Sequence, residues 1–333
     1  VWDTAAPVVN AGTDKTDNSQ VSQDATVTGA TTYLWTKQSG SGTITFGTAT
    51  AEDTTISADA DDTYVIRLTA TDAAGNSAFD EMTLNWDSSV PVILSAAFSP
   101  TSGIRKIGDT ITMTITADAP GYTAGAITVN GVSVTGFADN GDNTYTVTHT
   151  VASGNTDIAD DATIPVSVVL TDGAANSNVA YTTSPLAANS PSIDANVPVV
   201  SSGIDRAVYK GATVSQDGTV TGGATYSWEK AVGPGTVTFG SADQIDTTIS
   251  ADTPGSYILR LIATDAAGNM SFEDMIFTVH KNGDINNSGT IDNDDFTLLM
   301  FSWTTIANSM ADLNSSGDVD NDDFTILMYW WAS

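Results

Sequence analysis

The sequence predicts a mainly β protein, three tandem β-sandwiches followed by a small α-helical unit. Three observations carry this. Up to about residue 280, short runs alternate apolar and polar residues, and turn residues arrive every 8 to 12 positions. Residues 21–87 recur as residues 214–280 at a constant offset of 193 without a gap, with 38 of the 67 positions identical. Only beyond residue 290 do apolar residues recur with a helical period.

The first sandwich is assigned to residues 1–87, and its repeat, the third, to residues 198–280. In YVIRLTAT, Tyr64, Ile66, Leu68 and Ala70 share one face while Arg67, Thr69 and Thr71 share the other, the pattern of a half-buried antiparallel strand. Trp35 and Trp228, in YLW and YSW, stand where an immunoglobulin-like sandwich carries its buried Trp. Tyr64 and Tyr257 follow short acidic turns, as a tyrosine corner would. With no Cys in the chain, the cores must hold by packing alone. The second sandwich, residues 88–197, has strands in DTITMTIT, GAITVNGVSV, NTYTVTHTV and IPVSVVL, with a two-residue hairpin turn at Asn130–Gly131. The junctions repeat as DTAAPVV at 3–9, DSSVPVI at 87–93 and DANVPVV at 194–200; Trp2–Asp3 echoes Trp86–Asp87, the stub expected of a neighbouring domain of the same kind.

Acidic residues outnumber basic ones 40 to 10, a formal charge of -30, and 36 of the acids are Asp. Such a surface repels phosphate backbones and argues against nucleic-acid binding. Asp without Glu points to turns and to oxygen-ligand metal sites. No apolar run reaches the roughly 18 residues that span a bilayer. The two His residues, His149 and His280, lie in separate strands, and no nucleophile-and-base set or pocket-forming pair of carboxylates emerges, so no enzyme is expected.

Chemistry concentrates at residues 281–333. GDINNSGTIDNDDF places Asp284, Asn286, Ser288, Asp292 and Asp295 at loop positions 1, 3, 5, 9 and 12, with Gly289 at position 6 and Thr290 at position 7. That is the alternation by which one loop gives a calcium ion its six to eight oxygens. Twenty-eight residues on, Asp312, Asn314, Ser316, Asp318, Asp320 and Asp323 hold positions 1, 3, 5, 7, 9 and 12. After the loops, Phe296, Leu299, Met300 and Trp303, and then Phe324, Leu327, Met328 and Trp331, predict two helices that share a small core. Leu298, Phe301, Ile326, Tyr329 and Trp330 fall off that stripe, more apolar surface than a unit of about 50 residues can bury.

Loop then helix, twice, with no entering helix, resembles a dockerin, the calcium-dependent module that binds cohesin domains in extracellular bacterial assemblies. The resemblance implies two Ca2+ ions on the loop residues named above. It also implies partner contacts from Asn293, Asp294, Asn321 and Asp322, to which the off-stripe Phe301, Tyr329 and Trp330 are added as an apolar surface. No Lys or Arg follows Lys281, a departure from the family's basic mid-helix positions, and the 28-residue spacing is short for it. The outer sandwiches resemble PKD-type repeats, and the middle one resembles bacterial Ig-like repeats of large surface adhesins. In such arrays a loop Asp and a linker Asp hold calcium between domains, which implicates Asp72, Asn76, Asp87, Asp172, Asn176, Asp194, Asp265 and Asn269. The alternative for these is a plain β-turn closed by Asp and Asn.

The expected protein is therefore a non-catalytic secreted one, extracellular or on the cell surface. Its sandwiches would be joined into a larger assembly, a fibre or layer, by a calcium-dependent C-terminal unit. Its partner would be another protein module, either a copy of itself or a cohesin-like domain. In the alternative reading the chain is the non-catalytic tail of a cellulosome-type enzyme or adhesin.

Overall fold

The computed structural model describes residues 3–303, 311–313 and 318–331. It divides into two compact units, residues 1–194 and 195–333, so that the first two sandwiches form one unit and the third joins the helical segment in the other.

The first sandwich sets a four-stranded sheet against a three-stranded one. The four-stranded sheet runs Lys15–Asp17, Ser77–Trp86, Asp62–Thr71, Thr32–Ser39, and the three-stranded sheet Val21–Gln23, Thr54–Ala58, Ile44–Phe46. The inward residues are those that alternation selects: Tyr64, Ile66, Leu68 and Ala70 are buried with Trp35, Met82 and Leu84. The indole N–H of Trp35 donates to the carbonyls of Ala51 and Glu52 at 3.2 and 3.1 Å, which lets a polar atom enter the core without penalty. The Tyr64 hydroxyl donates to Ala60 O at 2.7 Å, and Tyr257 repeats this with Thr253 O, so both tyrosine corners are present. Gly40 and Gly233 lie so close to these rings that a methyl group there would collide with Tyr64 or Tyr257.

The second sandwich pairs the sheet Ile93–Ser99, Thr110–Ala117, Thr144–Thr150, Thr135–Asp139 with the sheet Val132–Ser133, Thr123–Val129, Val166–Thr171. Its Asn130–Gly131 turn has φ of 54° and 74°, the doubly positive backbone of a type I′ hairpin. His149 faces inward beside Ile111 and is buried, with no hydrogen-bond partner for Nε2. Burial lowers its pKa below 6.5, so protonation favours the unfolded chain. The stability it contributes is complete above the unfolded value of about 6.5 and is lost as pH falls from there toward the folded value. Urea unfolding between pH 7.5 and 5 should show this sandwich losing up to about 1.4 kcal/mol per pH unit, and His149→Leu should flatten that slope.

The third sandwich repeats the first strand for strand, with Trp228, Tyr257, Leu259, Leu261, Met275 and Phe277 in its core. Beyond it, α1 (Asn293–Ser302) and α2 (Asn321–Trp331) close on a core of Ile285, Leu299, Ala311 and Leu327. Phe296 at the start of α1 meets Trp331 at the end of α2, and Trp303 at the end of α1 meets Phe324 at the start of α2, so the helices run antiparallel. The expected stripe needs correcting. Met300, Met328 and Trp331 are exposed, while Leu298, assigned to the outside, packs on the core. The buried positions of α1 are Asp295, Leu299 and Ser302. Turning the Asp295 carboxylate inward rotates the helix and carries Met300 out.

Candidate functional site

In the first loop, amides organise the predicted oxygens. Asp284 is buried and its two oxygens accept from Ser288 N and Gly289 N at 2.9 and 2.8 Å. Asp295, fully buried, accepts from Asn286 N at 3.0 Å and Asp292 N at 2.9 Å, tying position 12 to positions 3 and 9. Asn286 accepts from Ser288 N, the Ser288 hydroxyl donates to Thr290 O, and the Thr290 hydroxyl donates to Asp292. The second loop shows the same closure where it is described: Asp323, fully buried, accepts from Leu313 N and Asp320 N at 2.7 and 2.8 Å. Asp312 and Asp318 flank the segment 314–317; Asn314 and Ser316 lie outside the described residues.

Asp295 and Asp323 also serve the helices. Each accepts from the backbone N–H of an N-cap Asp, Asp292 or Asp320, whose own carboxylate accepts from Asp294 N or Asp322 N at 2.9 Å. These reciprocal caps satisfy helix-start amides, and acids there complement the helix dipole. Position 12 is therefore Asp for two reasons, loop closure and capping.

The donor set suits calcium chemically, since carboxylate, amide, hydroxyl and carbonyl oxygens fit a hard cation and no sulfur or imidazole is present. Asp284 and Asp295 are buried carboxylates, and the ion pairs Arg67–Glu81, Arg260–Glu229 and Arg260–Asp274 all lie away from them. Among the described residues, no three Asp, Glu or His side chains stand close enough together to hold a metal ion.

The first loop abuts the third sandwich. Burial raises the Tyr209 pKa, and the charges of Asp284 and Asp295 raise it further. The Lys281 ammonium donates to Gly289 O at 2.5 Å, and Lys210 lies 5.9 Å from the Trp330 ring. Lys210, Lys281, Asn282 and Trp330 line a cavity of about 490 Å3. Trp330 thus turns to its own sandwich, whereas Phe301 is 73% and Tyr329 68% exposed. Asn293, Asp294, Asn321 and Asp322 are exposed at the helix starts.

At the seams, the turn geometry is explicit. Asp72 accepts from Ala74 N and Asn76 N, and its other oxygen takes the Asn76 side-chain amide at 2.9 Å. Asp172 with Asn176, and Asp265 with Asn269, repeat the arrangement. Where the outer copies have Gly75 and Gly268 in this loop, the middle one has Ala175 at φ 67°, a left-handed position for a residue with a Cβ.

Asn176 does more. Its amide also donates to Asp87 O at 2.7 Å, and its oxygen accepts from Asn18 at 2.6 Å, so one buried side chain ties both sandwiches of the first unit to their linker. Asn76 makes the matching contact with Asp3 O at 3.2 Å. Asp87 itself accepts from Ser89 N, and Asp194 pairs in register with Lys106. Sequence reasoning marked Asn176 but missed Asn18, whose position after a strand carried no signal. Asn176→Ala should loosen the joint by about 1–2 kcal/mol, seen as a broader interdomain distance distribution in small-angle scattering, with little change in the melting of either sandwich.

Residues 12–85 and 203–279 each match the model of a PKD domain family, which makes the first and third sandwiches PKD-like. No curated protein matches the chain. Among solved structures, the PKD domain from the KIAA 1837 protein is 21% identical, covering 28% of this chain and 92% of that one, with a TM-score of 0.23. A bacterial ice-binding adhesin of 1.5 MDa is 17% identical over 84% of this chain and 99% of its own, with a TM-score of 0.27. The Bacteroides ovatus SGBP-B of a mixed-linkage glucan utilization locus is 15% identical over 84% and 71%, with a TM-score of 0.18.

Proposed function

We propose that this chain is a non-catalytic structural protein of the cell exterior, in which stiff tandem sandwiches carry a C-terminal unit that binds two calcium ions and docks onto a protein partner. The observation that carries the reading is the pair of loops. Each ends in a fully buried Asp, Asp295 or Asp323, that closes the loop on the start of a helix.

Asp284, Asn286, Ser288, Thr290, Asp292 and Asp295 would hold one ion, and Asp312, Asn314, Ser316, Asp318, Asp320 and Asp323 the other. The ions would supply positive charge to a segment with no Lys or Arg after residue 281. Phe301 and Tyr329 occupy equivalent places in the two helices. Both rings are exposed on their helices, with Met300 and Met328 exposed beside them. These exposed side chains supply the docking contacts. The Asn176 tie and the PKD-like sandwiches support a spacer role for the remainder.

Light scattering and electron microscopy of the full chain in millimolar calcium test the reading. Particles that grow with calcium, and revert on chelation, are expected. A chain that stays monomeric and also captures no cohesin-type domain in calcium would refute it.

A further inference from the structure

One corner of the third sandwich differs from the matching corner of the first chiefly in charge. In the first, Asp61, Asp62 and Asp87 stand where the chain leaves the four-stranded sheet; at the constant offset they become Pro254, Gly255 and His280. Asp17, in register with Trp86, becomes Val208, in register with Val279. Ser88 becomes Lys281 and Ser89 becomes Asn282, while Lys210 follows Val208 by two residues as Ser19 follows Asp17. Four carboxylates are lost and two ammoniums gained, in a chain whose acids outnumber its bases 40 to 10.

The exchange also makes room. In the first sandwich the corner is clamped: Asp61 accepts from Ser88 N at 2.8 Å and the Ser88 hydroxyl at 2.7 Å, and its other oxygen accepts from the Ser89 hydroxyl at 2.8 Å. Pro254 has no side-chain oxygen to repeat this. In its place lies the cavity of about 490 Å3, walled by Pro254, Ile291, Trp330, Lys210, Lys281 and Asn282. That volume falls within the roughly 300–1,000 Å3 of small-molecule sites.

Lysines that served only to seat the acidic helical unit would pair with its carboxylates. These do not: among the described residues, no carboxylate lies within ion-pairing distance of Lys210 or Lys281. In the abutting loop, the oxygens of Asp284 accept from Ser288 N and Gly289 N, and those of Asp295 from Asn286 N and Asp292 N. Lys281 gives one N–H to Gly289 O at 2.5 Å and keeps two, and Lys210 stands 5.9 Å from the Trp330 ring. Their charge is directed to the cavity.

We propose that this cavity binds a small acidic sugar, a pyranose bearing a carboxylate that Lys210 and Lys281 hold. The inference goes beyond the docking reading and uses neither Phe301 nor Tyr329. Each part of the wall selects one feature of such a ligand. The two ammoniums, in a chain this acidic, select a carboxylate over a neutral ring. Pro254, Ile291 and the Trp330 indole offer an apolar surface that an inorganic anion leaves unused and that the C–H face of a pyranose covers. Asn282 Oδ1 is shut off from solvent and has no donor, a costly state. A hydroxyl of the sugar is the donor it lacks, once the amide turns toward the cavity. An aromatic acid has no such hydroxyl to give.

Saturation-transfer NMR on the full chain in millimolar calcium, with methyl glucuronide as probe and methyl glucoside as its neutral twin, provides the test. Transfer to the ring protons of the glucuronide is expected, with little or none to the glucoside. Lys210→Ser, and Lys281→Gln, which retains a donor for Gly289 O, should each weaken glucuronide binding roughly three- to tenfold. The double variant should lose the signal, and Trp330→Leu should reduce it. Circular dichroism should show the lysine variants folded like wild type; if Lys281→Gln is not, Lys210→Ser alone decides. No transfer to the glucuronide overturns the proposal, as does equal transfer to the glucoside or wild-type binding by the folded lysine variants. Inorganic phosphate that displaces the glucuronide at equal concentration would show a general anion site and overturn the assignment to a sugar.

Discussion

Chelation of calcium is expected to melt residues 283–331 and leave the three sandwiches folded. The helices have 10 and 11 residues, shorter than the roughly 12–15 that even favourable isolated helices need. Among the described residues, their shared core contains four fully buried apolar residues, Ile285, Leu299, Ala311 and Leu327. A unit this small requires a staple. An ion present at 100 times its dissociation constant stabilises a fold by about 2.7 kcal/mol, so two contribute about 5 kcal/mol, the lower end of a whole domain's stability. Removing them should abolish the helical far-UV signal, change the emission of Trp303, Trp330 and Trp331, and restore both on adding calcium. Asp295→Ala should remove one binding event from a calorimetric titration and also break the cap of α1. If the helical signal ignores chelator and calcium addition produces no heat, the loops are hydrogen-bonded turns and caps and nothing more.

The sandwiches were legible because their cores obey one rule, alternation, that acts residue by residue. Tyr64, Ile66, Leu68 and Ala70 could be assigned inward from spacing alone, and the repeat at 214–280 doubled every inference. The helical unit was legible in type but not in rotation. Its stripe was read from apolar residues, whereas the inward position is taken by Asp295, a carboxylate drawn in by Asn286 N and Asp292 N. A hydrophobic pattern cannot report that. The seams were half legible. Asp72, Asp172 and Asp265 stood out as ligands or turn formers, and the structure shows their oxygens taken up by loop amides. Which Asn joins two domains depends on tertiary approach, as between Asn18 and Asn176, and no local pattern encodes it.

Trp228→Ala should cost the third sandwich about 3–5 kcal/mol, the range for truncating a large buried aromatic. Three losses combine. The ring is 3% exposed and sits among Ile249, Leu259 and Leu261, so its removal leaves a cavity that a β-sandwich fixed by cross-strand pairing collapses into only partly. Its stacking on Phe239, 6.2 Å between centroids, disappears. The Ile245 carbonyl loses the indole N–H that satisfies it at 3.0 Å, and a buried unpaired acceptor is costlier than a hydrogen bond never made. Trp35→Ala provides an internal duplicate, because Trp35 repeats the burial, the stack on Phe46 at 6.5 Å and the carbonyl contacts. The two variants should each lower one calorimetric transition, in different sandwiches, and the double variant should lower both additively, as expected for distant sites. If Trp228→Ala costs less than 1 kcal/mol in urea while Trp35→Ala costs several, the two cores are not energetically equivalent. The third sandwich would then owe its stability to contacts outside its own strands, the helical unit first among them.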